Sequence, residues 1–165
     1  MSNHLATQHS VPYDITLLVR DTCLCLHAQR AARALARRFD AELKDTGITS
    51  GQFSLLMALN RPAPPRLGSV AALLAMDRTT LTANLKPLER SGMIEVFPDN
   101  RDRRTRLLRI TPMGLEVLAR AVPVWQRTHA AIDAELGTQR ADRLRMDLDA
   151  LCARDVSEGG TAGYK

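Results

Sequence analysis

The stretch between Leu73 and Thr111 constrains what this chain can fold into more than any other part of it. An amphipathic helical pattern ends at Gly92, and two short strand-like runs follow at 93–97 and 106–110. The loop between the runs is polar and rich in arginine, which is typical of an antiparallel hairpin with a charged tip. We therefore expect a helix directly before a hairpin, with the remaining segments positioning that pair.

A shorter helical segment precedes this pair. Residues 67–74 have a helical pattern, a turn is predicted at 75–77, and Asp77 is a suitable N-cap for a helix over 78–91. Helix, turn, helix and hairpin in this order predict a winged helix-turn-helix, and so a mainly α fold with a small antiparallel β-hairpin wing. The face expected to point toward the core carries leucines at helical spacing, Leu81, Leu85 and Leu88.

Long helical patterns flank this unit. We predict one unbroken helix over 14–44, because neither Gly nor Pro interrupts it, and a left-handed cap at Gly47. A helix over 51–60 should turn Phe53, Leu56, Met57 and Leu59 inward. Thr111 is predicted to cap a helix that runs to about Leu136, with a kink before Pro123, and a last helix is predicted over 139–153.

These long helices carry more apolar surface than one winged head can bury. Packing against a second copy would cover it, so we predict a helical dimerisation region over 13–46 and 111–154. The winged helix-turn-helix domain then spans 47–110. The remaining residues, 1–12 and 155–165, are polar or rich in glycine and are predicted to be disordered tails.

Composition limits the classes of function. The net charge is +5 and aromatic residues make up 4% of the chain, which suits a helical protein with an acidic partner such as nucleic acid. No apolar run is long enough to span a membrane, and the first residues lack a secretory pattern, so we expect a cytoplasmic protein without a membrane partner. The sequence has no nucleophile–base pair, phosphate loop or metal-ligand spacing, so neither an enzyme nor a cofactor or metal site is predicted.

The second helix of the helix-turn-helix is the predicted reading element for double-stranded DNA. A helix fits the major groove, where arginine can pair with guanine and a threonine methyl can touch thymine. The predicted DNA contacts on this helix are Arg78, Thr79, Thr80, Thr82, Asn84 and Lys86.

The hairpin tip is the predicted second contact. It places three arginines and two aspartates within six residues, 99–104. We expect the aspartates to pair with arginines and hold the loop in shape, which leaves a guanidinium group to enter a narrow minor groove. The predicted wing contacts are Asp99, Arg101, Asp102, Arg103 and Arg104.

Several motifs in this region together resemble the MarR family of winged-helix regulators. They are Arg78-Thr-Thr-Leu-Thr82, Leu88-Glu-Arg-Ser-Gly92, Asp99-x-x-Asp102-Arg103-Arg104 and Leu108-x-Ile-Thr111-x-x-Gly114. The resemblance extends over about 14–154 and implies a homodimer that binds a palindromic operator, usually as a repressor released by a small ligand. Many members have arginine at the position of Ala83, so base readout here is expected to depend more on Arg78, Asn84 and Lys86.

The sequence leaves two alternatives for what triggers release of the protein from its operator. The first is a small aromatic or acidic effector in a pocket whose predicted lining is His27, Arg30, Phe53, Met57, Trp125 and His129. The second is oxidation of Cys25, because the segment 24–33 is similar to the hydroperoxide-sensing branch of the family. That branch uses tyrosines where this chain has Gln29, Phe39 and Ser50, so a buried, unreactive cysteine is the competing interpretation.

One alternative belongs to another class of protein. A basic winged head without any effector would act as a non-specific architectural DNA-binding protein. Sequence-specific binding of a palindrome, and loss of that binding with a ligand, separate the two classes.

Overall fold

The computed structural model describes residues 10–157, with side chains as far as 153. Within that range the helices are α1 (Tyr13–Thr22), α2 (Leu24–Leu43), α3 (Ser50–Leu59), α4 (Leu67–Leu73), α5 (Arg78–Arg90), α6 (Pro112–Leu136) and α7 (Thr138–Ser157). Strands β1 (Ile94–Pro98) and β2 (Arg106–Ile110) form a single antiparallel hairpin between α5 and α6. This order confirms the predicted mainly helical winged helix-turn-helix.

The predicted tails lie largely outside the described residues, which exclude 1–9 and 158–165. Residues 155–157 belong to α7, so the last helix is longer than the predicted 139–153. The chain divides into two compact units, residues 1–38 and residues 39–165.

The first unit holds α1 and most of α2. The predicted unbroken helix over 14–44 is wrong at Cys23, which has φ −73° and ψ 106° and lies extended between the two helices. The Thr22 hydroxyl donates to the Leu18 carbonyl at 2.7 Å, and the Leu26 amide donates to the Cys23 sulfur at 3.5 Å. The Cys23 sulfur thus takes the Leu26 amide in place of a main-chain carbonyl, as a capping side chain does at the start of a helix, and α2 begins anew after it without Gly or Pro.

The second unit contains the hydrophobic core. Its largest fully buried side chains come from the end of α2, from α3 to α5 and from the hairpin: Leu43, Leu56, Leu59, Val70, Leu81, Leu88, Ile94 and Leu108. The three predicted leucines of α5 are all buried. Met57 was predicted to point inward, but 43% of its surface is exposed. Its neighbours Leu55, Leu56 and Leu59 take the buried face, and Met57 lies about 160° around the helix from Leu59.

Local capping explains where several helices begin and end. Thr49 caps α3 in a reciprocal capping box with Gln52, and the helical stretch before it ends at Gly47, whose φ is +80°. Asp77 caps α5, and Thr111 caps α6 with Pro112 at its first position. Pro87 and Pro123 lie inside α5 and α6 as predicted from the sequence.

The hairpin is bonded to the segment that precedes α4. In the hairpin, Ile94 lies opposite Ile110 and Val96 lies opposite Leu108. The Leu108 amide donates to the Pro65 carbonyl at 3.0 Å, and Arg66 pairs with Leu107 in an isolated antiparallel bridge. Residues 65–66, which directly precede the predicted helix over 67–74, therefore form an isolated bridge along β2.

The start of α6 is packed tightly under the hairpin. The Thr111 hydroxyl donates to the Gly92 carbonyl at 2.7 Å and accepts from the Gly114 amide at 3.1 Å. The Thr111 amide donates to the Met93 carbonyl at 3.0 Å. Gly114 is buried against Met93 and Ile110, and a side chain at this position would overlap the Met93 carbonyl oxygen. Two hydrogen bonds from Thr111 thus join the start of α6 to residues 92–93 before the hairpin, and a third, from Gly114, caps the helix.

Candidate nucleic-acid interface

The turn before α5 fixes where this helix begins. Ala75 has φ +49°, a conformation unusual for a residue with a side chain, and reverses the chain after α4. Asp77 then accepts hydrogen bonds from the Thr80 amide at 2.8 Å and from the Thr80 hydroxyl at 2.6 Å. These bonds to Thr80 lower the pKa of the Asp77 carboxyl, so the cap is ionised at neutral pH.

All six side chains predicted to contact DNA from α5 are exposed on the described chain: Arg78, Thr79, Thr80, Thr82, Asn84 and Lys86. They surround the helix on the sides away from Leu81, Leu85 and Leu88, whose side chains are buried. The hydroxyl of Thr80 is bound to Asp77, and that of Thr82 donates to the Arg78 carbonyl at 2.7 Å. Both threonines therefore present mainly their methyl groups to a partner.

Two of the predicted contacts lie at the flanks of α5. The guanidinium group of Arg78 extends over Gly68 in the first turn of α4, where a side chain at position 68 would come within 3.2 Å of it. The Asn84 amide donates to the Met76 sulfur at 3.8 Å. The sequence predicts both residues as DNA contacts but not their contacts with the preceding helix and turn, because such contacts depend on tertiary packing.

The wing tip is held in shape differently from the prediction. Asp99 accepts from the Arg101 amide at 2.9 Å, and Asp102 accepts from the Arg104 amide at 3.0 Å and the Thr105 hydroxyl at 2.8 Å. The predicted pairing of these aspartates with arginine side chains is not found among the described residues. Short aspartate side chains favour such local bonds to main-chain amides in turns.

The three tip arginines are therefore open to a partner. Arg101, Arg103 and Arg104 are exposed, and none of them forms an ion pair within the described residues. Arg109 differs, since its guanidinium group lies 4.5 Å from the centre of the Phe97 ring and 3.3 Å from the Glu95 carboxylate. The wing thus has a structural arginine on its strands and free cationic groups at its tip.

The hydrogen bonds of Asp102 predict a dependence of the wing loop on pH. The Thr105 hydroxyl, the Arg104 amide and the charge of Arg66 lower the pKa of Asp102 below its ordinary value of 3.8. Because the pKa is lowered in the folded state, the stabilisation is fully present above the ordinary value and is lost as the pH falls through the lowered one. We expect the Arg104 and Thr105 amide resonances to shift in that range in an NMR titration.

Asp102→Asn keeps an acceptor for the amide and removes the titration. In this variant the two amide resonances should stay constant with pH, whereas Asp149→Asn, an exposed change on α7, should leave the wild-type titration intact. Wild-type resonances that do not move while core amides remain folded would contradict this role of Asp102.

Three of the residues predicted to line a pocket come together in the second unit. The rings of Phe53 and Trp125 are stacked with centroids 6.0 Å apart, and His129 packs edge-on against Trp125 at 4.8 Å. Sequence reasoning missed the polar end of this cluster. His129 Nδ1 lies 3.3 Å from Asp133, which also pairs with Arg145 of α7 at 2.9 Å. Met57, also predicted there, is exposed on α3.

The other predicted pocket residues lie in the first unit. His27 and Arg30 are exposed on α2, and His27 Nδ1 lies 2.9 Å from the Cys23 carbonyl oxygen. Cys25 is also exposed, and its sulfur accepts from the Gln29 side-chain amide at 3.3 Å. Arg33 in turn donates to the Gln29 side-chain oxygen at 3.2 Å. Cys25 is thus exposed in the single protomer, and the competing interpretation, a cysteine buried between the helices of a dimer, stays a prediction.

No group of three or more His, Cys, Asp or Glu side chains could hold a metal ion in the described part of the chain. None of its helices is both long and apolar enough to cross a membrane.

Known proteins resemble this chain in sequence over the whole of this interface. Residues 48–105 match the model of the MarR family. The transcriptional repressor MprA of Escherichia coli K12 is 30% identical over 154 residues, which cover 90% of this chain and 83% of MprA. The transcriptional activatory protein BadR of Rhodopseudomonas palustris is 39% identical over 74 residues, but the alignment covers only 43% of this chain and 42% of BadR.

A solved structure supports the same relationship. The Mycobacterium tuberculosis transcriptional regulator MosR, in complex with DNA, is 31% identical to this chain, with a TM-score of 0.75. The match covers 84% of this chain and 99% of the MosR chain.

Proposed function

The chain belongs to the MarR family of transcriptional regulators, and from this we propose that it is a homodimer that binds a palindromic operator and leaves it when a small effector binds. The observation that carries the proposal is the pairing of an exposed helix face on α5 with a wing tip that has three free arginines. The helix suits the major groove, and the arginines suit the phosphates and minor groove beside it. Repression is the mode of regulation we propose.

Exposed apolar side chains support the homodimer. On α7, Leu144, Leu148 and Leu151 lie along one side of the helix and are exposed, Leu151 to 55% of its surface. On α1, the described chain buries no side chain, and Ile15, Leu18 and Val19 are exposed. Apolar helix faces of this size are typical of surfaces that an assembly covers. A two-fold dimer would present two copies of α5 to two half-sites of a palindrome.

The operator itself provides the direct test. The purified chain, of 18.2 kDa, should sediment as a dimer and should shift a palindrome from its own promoter. We expect affinity at least about 10³-fold higher than for a scrambled duplex, and a steep fall with rising salt because phosphate contacts release counterions. Equal affinity for scrambled DNA would instead favour the non-specific architectural protein.

The aromatic cluster supports an effector of aromatic or acidic character. Phe53, Trp125 and His129 form a cluster of aromatic rings against which a ligand ring could stack. Trp125 is only partly buried, so part of the cluster is accessible. Because Trp125 is the single tryptophan of the chain, a ligand at this cluster would change its fluorescence directly. Linkage requires that such a ligand bind the DNA-free dimer more tightly than the DNA-bound one.

Oxidation of Cys25 is the second candidate trigger, supported by the exposure of its sulfur. We expect aromatic carboxylates to quench Trp125 and release the operator from both the wild-type protein and Cys25→Ser. An organic hydroperoxide should release neither. Release of the wild-type protein by hydroperoxide, abolished in Cys25→Ser and retained in Cys152→Ser, would instead establish the thiol trigger.

A further inference from the structure

The outermost ridge of α5 has a gap at its centre. Successive residues of a helix are offset by about 100°, so Thr79, Ala83, Lys86 and Arg90 lie on the side opposite the buried Leu81, Leu85 and Leu88. Ala83 is the smallest of these four outward side chains and lies between Thr79 and the two cations.

This gap opens into a groove. Its volume is about 370 Å³, and its lining consists of Ala83, Lys86, Pro87, Glu89 and Arg90. The spacing of Ala83, Pro87 and Arg90 places all three along one side of the helix over two turns. The groove therefore lies in the part of α5 that would come nearest to the base pairs.

The floor of the groove is apolar and its ends are charged. Ala83 offers only a methyl group, and Pro87 offers a ring without a main-chain N–H, so neither can pair with a polar base edge. The 5-methyl group of thymine is the one apolar group that a base pair presents in the major groove. Lys86 and Arg90 flank the floor and suit the phosphates on either side, whereas the carboxylate of Glu89, also in the lining, would have to point away from them.

We propose that Ala83 and Pro87 form a seat for the 5-methyl group of one thymine in each operator half-site, with Lys86 and Arg90 on the flanking phosphates. The inference rests on the proposed function, and it adds the base that the middle of α5 recognises. Ala83 thereby determines specificity through a close apolar contact, and a larger polar side chain at this position would prevent that contact.

A uracil scan of the operator tests the seat. Deoxyuridine keeps every hydrogen-bonding group of thymidine and lacks only the methyl group, so each thymine is replaced in turn and affinity for the full-length protein is measured. We expect one position in each half-site to lose about fourfold in affinity, and the two replaced together to lose about fifteenfold. All other thymines should be nearly neutral.

A variant protein assigns the effect to Ala83. In Ala83→Gly the loss of affinity caused by uracil at the sensitive position should shrink, because the Ala83 half of the methyl contact is absent and only Pro87 remains. Ala130→Gly, at an exposed position of α6, matches the loss of helix propensity and should keep the wild-type response to uracil.

Two results would overturn the seat while leaving the proposed function intact. One is tight operator binding with a flat uracil scan. The other is a uracil effect that persists unchanged in Ala83→Gly, which would place the methyl contact elsewhere on the protein. Failure to bind any palindrome from the promoter would instead remove the proposed function, and the seat with it.

Discussion

Replacing Gly114 with alanine should destabilise the folded protein by about 3 kcal/mol, at the upper end of what overpacking usually costs. The added Cβ would overlap the Met93 carbonyl oxygen and come within 2.8 Å of Ile110 Cγ1. Both neighbours belong to the hairpin, and Thr111 ties the same segment to α6, so neither side can retreat without breaking hydrogen bonds. Urea denaturation followed by circular dichroism measures the loss.

Gly51→Ala is the matched control for this change. Gly51 lies in the first turn of α3, and an added Cβ would meet only the Thr49 hydroxyl at 3.9 Å. Alanine favours the helix over glycine by about 0.5–1 kcal/mol, so this variant should be as stable as the wild type or more stable. Equal stability of the Gly114→Ala and wild-type proteins would show that the hairpin and α6 separate more easily than their contacts indicate.

Removing both arginines at positions 103 and 104 should lower operator affinity about 100-fold at moderate salt. The double alanine variant takes four exposed guanidinium groups from the proposed dimer, none of which is held by an ion pair within the described protomer. If each meets a phosphate, the slope of log affinity against log salt concentration should fall by about 4. Fluorescence anisotropy over a range of salt concentrations measures affinity and slope together.

A variant with the same change in net charge distinguishes contacts made by the wing tip from the general electrostatic attraction between protein and DNA. Arg140→Ala with Arg143→Ala removes two exposed cations from α7, far along the chain from the wing. We expect this variant to keep nearly full affinity and the wild-type salt slope. Equal losses in the two variants would mean that net charge, and not the wing tip, drives binding.

Features encoded by near neighbours were predictable from the sequence. The caps at Asp77 and Thr111 and the glycine ends at Gly47 and Gly92 each depend on a few adjacent residues, so the chain reveals them without tertiary information. The spacing of the α5 leucines, Leu81, Leu85 and Leu88, likewise indicates that one face of this helix is buried. The wing arginines could be placed at a tip because the strands on both sides were recognisable.

Features that depend on distant residues or on competing bonds were not predictable. Cys23 breaks a helix whose pattern is continuous, since its sulfur takes the Leu26 amide in place of a main-chain carbonyl. The Asp102 carboxylate accepts from the Arg104 amide and the Thr105 hydroxyl in place of the arginine side chains that charge alone would favour. Arg78 lies over Gly68, a partner ten residues away that only the turn at Ala75 brings close.

The main-chain hydrogen bonds from residues 65–66 to β2 restrict how this regulator can dissociate from DNA. Since Pro65 and Arg66 lead directly into α4, the hairpin shares main-chain hydrogen bonds with the start of the helix-turn-helix. These bonds join the wing to the helix-turn-helix, so we expect the two to leave the duplex together in the proposed release. For the proposed dimer we therefore expect an effector to act by changing the distance between the two copies of α5, so that they no longer fit two half-sites at once.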